Sequence, residues 1–184
     1  MSYQNQEKND AHGAARSGAQ REAALRDFIT SCGFTFIKNH LDAARYLGLE
    51  LTKSGRVKSK DKQLINEWMQ GRCVFKATGD YKECGFEFFL SDGYIAELDI
   101  VVELKGGDKQ GTTEEKLFFD LMKLEDGCYG DRTLVYIFEG KKETDKCTRL
   151  FTKRLRKLQE EGRANDNIHV VPLSQCDASV LEAL

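Results

Sequence analysis

ECGFEFFLSDGYIAELDIVVELKGG, residues 83–107, holds two strand patterns in succession. In its second half Ala96, Leu98, Ile100, Val102 and Leu104 are apolar. Between them stand Glu97, Asp99, Val101, Glu103 and Lys105. Side chains alternate across a strand, so a strand over 94–105 carries its charges on one face. In CGFEFFL (84–90) the apolar residues are Cys84, Phe86, Phe88 and Leu90, with Glu83 and Glu87 in the opposite phase. Keeping both apolar sets on one side of a hairpin fixes its register. A three-residue loop, Ser91-Asp92-Gly93, with Gly93 left-handed, pairs Leu90 with Tyr94. Glu83 then faces Val101 and is a diagonal neighbour of Asp99 and Glu103, about 7–8 Å away at the backbone.

Outward from this hairpin the period changes. Downstream, Thr112 to Glu125 reads as a helix with Leu117, Phe118, Leu121 and Leu124 on one face. TLVYIFEG (133–140) is a continuous apolar run, as a central strand is. Residues 145–161 form a basic amphipathic helix, IHVVP (168–172) a last strand, and Ser174 to Leu184 a closing helix. Upstream, RCVFKAT (72–78) is a short strand, and Asp61 to Gln70 a helix with Leu64, Ile65, Trp68 and Met69 on one side. KSGRVKSKDK (53–62) is an exposed basic loop, and Leu41 to Leu49 is helical. A helix from near Ser17 sets Ala24, Leu25, Phe28, Ile29 and Cys32 on one face and stops at Gly33. Residues 1–16 lack periodicity and read as a disordered tail. From residue 61 the order is αβββαβαβ. This is an α/β (α+β) chain: a central mixed sheet flanked by helices, one domain over 17–184, with a helical part at 17–60 and a core at 61–172.

The 184 residues are 40% hydrophobic and 32% charged, enough apolar content for a buried core. No apolar run approaches the ~20 residues of a membrane helix. The first 20 residues are polar and lack a secretory signal, so the expected compartment is the cytoplasm. Six cysteines and three histidines are scattered without CxxC spacing, which argues against a zinc site and a disulfide framework. Neither a phosphate-binding P-loop nor a dinucleotide fingerprint is present.

The charged face of Glu83, Glu87, Glu97, Asp99, Glu103 and Lys105 is costly to bury without counter-charge or metal. Carboxylates favour Mg²⁺, a hard cation. A nearby lysine can contact a phosphate or stabilise a deprotonated water. These are the parts of phosphodiester hydrolysis. A solvated hairpin face with ordinary salt bridges carries the same pattern.

Glu103-Leu104-Lys105 ends an apolar strand, follows a hairpin and precedes a helix and another strand. With VVELKGG, GTTEEK (111–116) and VYIFEG (135–140), it resembles the PD-(D/E)xK nuclease superfamily, most closely type II restriction endonucleases, over residues 61–172. The resemblance implies a restriction-endonuclease-like core and Mg²⁺, with Mn²⁺ substituting. The glutamate of the motif maps to Glu103, its lysine to Lys105, and the backbone carbonyl of Leu104 joins the metal. The family also needs an acid on the preceding strand. Here there is no Pro-Asp pair. By hairpin register the acid is Glu83. Asp92, eleven residues before Glu103, matches some family spacings but sits in the expected turn. Asp99 lies on the right face, about 13 Å along the strand from Glu103. Asp80 would serve only with a bulge. Double-stranded DNA is the implied substrate, cut by a homodimer to leave 5′-phosphates. A repair nuclease, a junction resolvase and a catalytically silent DNA-binding module share that fold, and a small-ligand-binding α/β protein is a further reading.

Two segments suit DNA contact. The loop 105–116 offers Lys109, Gln110, Thr112 and Thr113 beside a helix start. The segment 141–163 offers Lys141, Lys142, Arg149 and Lys153 to a phosphate backbone. Glu22 and Glu67 are helical acids that also come into question as metal neighbours.

Overall fold

The computed structural model describes residues 18–106 and 112–184, with side chains from Lys116 onward in the second span. The helices are α1 (Gly18–Ser31), α2 (His40–Tyr46), α3 (Lys62–Met69), α4 (Gly79–Glu83), α5 (Thr112–Glu125), α6 (Lys146–Glu160) and α7 (Ala178–Glu182). The strands are β1 (Phe36–Ile37), β2 (Val74–Lys76), β3 (Phe88–Leu90), β4 (Gly93–Ile95), β5 (Ile100–Lys105), β6 (Thr133–Phe138) and β7 (Ile168–Pro172). The expected tail, 1–16, lies outside the described residues.

Five strands form one mixed sheet in the order β1-β4-β5-β6-β7. β4 runs antiparallel to both β1 and β5, while β5, β6 and β7 are parallel to one another. The parallel pairs are joined through α5 and α6, as parallel strands require. β6 holds no charge and buries five of its six residues, so it takes the centre of the parallel half. On one sheet face, Val101, Leu134, Tyr136 and Phe138 pack with Leu117, Leu124, Phe151 and Leu155 of α5 and α6. On the other, Ile100, Val102, Val135 and Ile137 pack with Leu25 and Ile29 of α1 and Leu181 of α7. A mixed α/β sheet flanked by helices is therefore the architecture. No helix among the described residues is long and apolar enough to cross a membrane.

The expected hairpin of 84–90 with 94–105 does not form. Residues 94–105 are two strands, not one: the chain turns at 96–99, and β4 folds back on β5 with Tyr94 opposite Val101. Tyr94 thus holds the place that the expected register gave to Glu83. The turn is built by its own acids. Asp99 takes φ 55°, a left-handed conformation that Asp tolerates, and its carboxylate accepts the Tyr94 hydroxyl at 2.6 Å. Glu97 accepts the backbone N–H and hydroxyl of Thr35 at 2.8 and 2.5 Å. β3 pairs instead with β2 in a separate two-stranded sheet, Leu90 opposite Val74.

Gly93 opens a strand and does not close a turn. A Cβ there would fall 2.0 Å from the Phe36 ring, so the glycine marks the close approach of β1. In α3, Leu64 is exposed, not buried with Ile65 and Met69. β1 and α4, two and five residues long, were not expected; elements that short carry no readable period.

Candidate active site

The alternation of β5 points Val101, Glu103 and Lys105 at the face covered by α5, with Tyr136 of β6 opposite Glu103. Only 4% of Glu103 is exposed. Its carboxylate accepts the Tyr129 hydroxyl at 2.9 Å through Oε1 and the Lys105 ammonium at 2.9 Å through Oε2. Lys105 Nζ also stands 2.9 Å from Asp120 Oδ2 of α5, and the other oxygen of Asp120 meets Lys123 at 3.1 Å. Aromatic rings lie beside both ammonium groups: Lys105 is 5.5 Å from the Tyr136 ring centroid and Lys123 4.7 Å from that of Phe89.

Asp92 completes the group. One residue beyond the Gly93–Val102 pair, the register of β4 on β5 places Asp92 opposite Glu103. Its Oδ2 accepts the Leu104 N–H at 2.8 Å. A residue's N–H and C=O leave a strand on the same side, so the Leu104 carbonyl faces the strip of strand edge that Asp92 occupies.

Burial pushes the Glu103 carboxyl above its ordinary range, and the Lys105 charge only partly offsets this. Burial acts on Lys105 in the opposite sense, but Glu103, Asp120 and Asp92 outweigh it and hold the ammonium well above the usual lysine range. Burial, and then the neighbouring carboxylates, also push Tyr129 and Tyr136 far up. At neutral pH the lysine is a fixed cation and both tyrosines are neutral. Three carboxyl groups, Asp92, Glu103 and Asp120, stand around two amino groups, Lys105 and Lys123.

The structure brings Glu103 and Lys105 together with Asp92, one of the alternatives for the first acid. It does not bring Glu83 or Asp99. Glu83 ends α4 and is exposed, as are Glu87 and Asp80. Asp99 lies at the far end of β5, exposed and paired with Arg132. Glu22 pairs with Lys38, and Glu67 accepts the Gln63 amide at 2.9 Å. Lys109 and Gln110 lie outside the described residues; Thr112 and Thr113 begin α5, with their side chains outside as well. Lys141, Arg149 and Lys153 are exposed, whereas Lys142 is buried and held by Asp145 at 2.6 Å. Lys142 is therefore not a surface cation.

Asp120 is the site residue that sequence reasoning missed. It stands three after Leu117 and four before Leu124, which puts it inside the buried stripe of α5. Phe118, expected on that stripe, is 62% exposed. A charge within an apolar stripe was the available signal, because it demands a buried counter-charge. No protein-family model, curated protein or solved structure matches the chain.

Proposed function

We propose that the chain is a Mg²⁺-dependent endonuclease of double-stranded DNA, of the PD-(D/E)xK kind and most like a type II restriction enzyme. The observation that carries this reading is Asp92 standing across the β4–β5 pair from Glu103, with Lys105 in the same pocket. This is the acid, the glutamate and the lysine that such a nuclease needs, the acid just ahead of β4 and the other two on β5.

The donors suit the ion in kind. All are hard oxygens, the kind of donor that Mg²⁺ takes. Among the described residues no three His, Cys, Asp or Glu side chains converge as a ready-made cage. Mg²⁺ keeps several waters, so two carboxylates and a carbonyl suffice. Asp92, Glu103 and the Leu104 carbonyl would hold it, with Mn²⁺ able to replace it. When bound, the ion supplies charge stabilisation at the phosphate and a more acidic water.

Lys105 has a defined part. It stays protonated, so it cannot take the proton of the attacking water; it offers positive charge to the phosphate as negative charge develops there. Asp120 and Glu103 aim its ammonium, and Tyr129 fixes the Glu103 carboxylate. Attack by water forms the new phosphorus–oxygen bond and gives up a proton to solvent, and the bond to O3′ breaks as O3′ takes a proton from solvent, leaving a 5′-phosphate and a 3′-hydroxyl. A two-fold homodimer would present two such centres to the two strands.

The burial of Glu103 and Asp120 against Lys105 favours one second reading, a silent DNA-binding module in which the network is structural. Conversion of supercoiled plasmid separates the two. Wild type should nick or linearise it with Mg²⁺ and not with EDTA, and Glu103→Gln should lose this. A folded wild type that binds DNA but leaves it intact with both Mg²⁺ and Mn²⁺ favours the silent module.

A further inference from the structure

The outer face of α6 is unused by the acidic centre. The helix carries six cations and a single acid, Glu160. Phe151, Leu155 and Leu158 bury its other face. Arg149, Lys153, Arg154 and Arg156 are exposed and make no ion pair among the described residues, while Lys157 reaches Glu161 at 3.5 Å. The whole chain has a net charge of −2, so this density of unpaired cations is local and not a reflection of overall composition.

These cations bound a groove of about 880 Å³, lined by Arg149, Lys153 and Arg156 and by Phe138, Val170 and Pro172. Glu143 and Glu160 also line it, and Glu143 is already engaged by the Ser174 hydroxyl at 2.5 Å. β7 is the last strand of the sheet among the described residues, and the groove runs beside it. From Arg149 to Lys157 the helix rises about 12 Å. That is the axial span of about three phosphates on one strand of a duplex, at ~3.4 Å each. Phe138, which lines the groove, stands opposite Lys105 across the β5–β6 pair.

We infer that this groove seats the phosphodiester backbone of a nucleic-acid duplex. Charge complementarity and spacing select a polyanion of regular repeat; the choice of nucleic acid rests on the reading of the acidic centre as a phosphodiesterase. Contacts of this kind set affinity and register and read no sequence.

The test is binding of a short fluorescein-labelled duplex in EDTA, so that hydrolysis plays no part. The triple variant Arg149→Gln, Lys153→Gln, Arg156→Gln should bind at least about tenfold more weakly. Its slope of log affinity against log salt should fall by about 0.9 for each lost phosphate contact. The charge-preserving triple Arg149→Lys, Lys153→Arg, Arg156→Lys should keep the wild-type slope. The inference is overturned if the glutamine triple, with an unchanged melt, keeps wild-type affinity and slope. It is overturned equally if wild type prefers polyglutamate or phosphatidylserine vesicles to the duplex at the same salt. Salt-dependent binding through the groove without Mg²⁺-dependent cleavage would remove the nuclease reading alone. Cleavage that survives the glutamine triple undiminished would remove the groove alone.

Discussion

Lys105→Met tests the buried network in isolation from any activity. Lys105 is shared by Glu103 and Asp120, whose side chains are 5% and 3% exposed. Solvent therefore does little to screen what the substitution leaves behind. Breaking a buried pair by removing one partner costs about 3–5 kcal/mol. For a chain of this length, 1 kcal/mol moves Tm by about 2–4 °C, so the variant should melt about 6–20 °C below wild type. Pairing it with Glu103→Gln removes the stranded carboxylate while keeping an acceptor for Tyr129, and should restore at least half of the loss. The deficit also has a sign in pH. The Glu103 carboxyl is already raised by burial, and without Lys105 protonation is its remaining relief. A raised folded-state value stabilises below the unfolded carboxyl range of about 4.3 and is lost as pH rises through the folded value. The gap between variant and wild type should therefore be smaller at pH 5 than at pH 8. Thermal melts by circular dichroism at both values decide it. A drop of less than about 2 °C, or the same drop at both pH values, refutes the buried ion network.

Three further outcomes are expected. Gly93→Ala should cost about 1–3 kcal/mol in urea unfolding, because the added Cβ meets the Phe36 ring at 2.0 Å, and Phe36→Leu in the same chain should recover part of it. Tyr129→Phe should cost about 1–3 kcal/mol by leaving Glu103 Oε1 without its donor; no change in the urea midpoint would contradict the 2.9 Å bond. Burial holds His169 below its ordinary value, so its contribution is present above about pH 6.5 and is lost as pH falls through the folded-state value. His169→Leu should accordingly flatten the decline in stability between pH 7 and pH 5, and an unchanged slope would show that another group titrates there.

The long elements were legible in the sequence because their periods are long. α1, α5, β6, α6 and β7 stand where spacing and uncharged runs placed them, and the alternation in β5 did put Glu103 and Lys105 on one face. The pairing of strands was not legible. Ser91-Asp92-Gly93 has the composition of a turn, and only the Phe36 ring, brought in from far along the chain, makes that glycine a point of close approach. Ala96-Glu97-Leu98-Asp99 continues an alternating pattern, and its bend depends on Thr35, Tyr94 and Arg132 binding its two acids. That single misplaced turn moved the companion of Glu103 from Asp92 to Glu83. Asp120 escaped because a helical carboxylate looks like surface until its neighbours on the stripe are counted, and Lys142 looked like surface because Asp145 reaches it only through the fold.

The most direct test of the central claim compares Asp92→Asn with Glu83→Gln and Asp99→Asn in Mg²⁺-dependent plasmid cleavage, after matching the variants for thermal stability. Asp92 opposite Glu103 predicts that Asp92→Asn loses about 10²-fold or more in rate, while the other two cleave as wild type. Undiminished cleavage by Asp92→Asn, or its loss in Glu83→Gln, would contradict the assignment of the acidic centre.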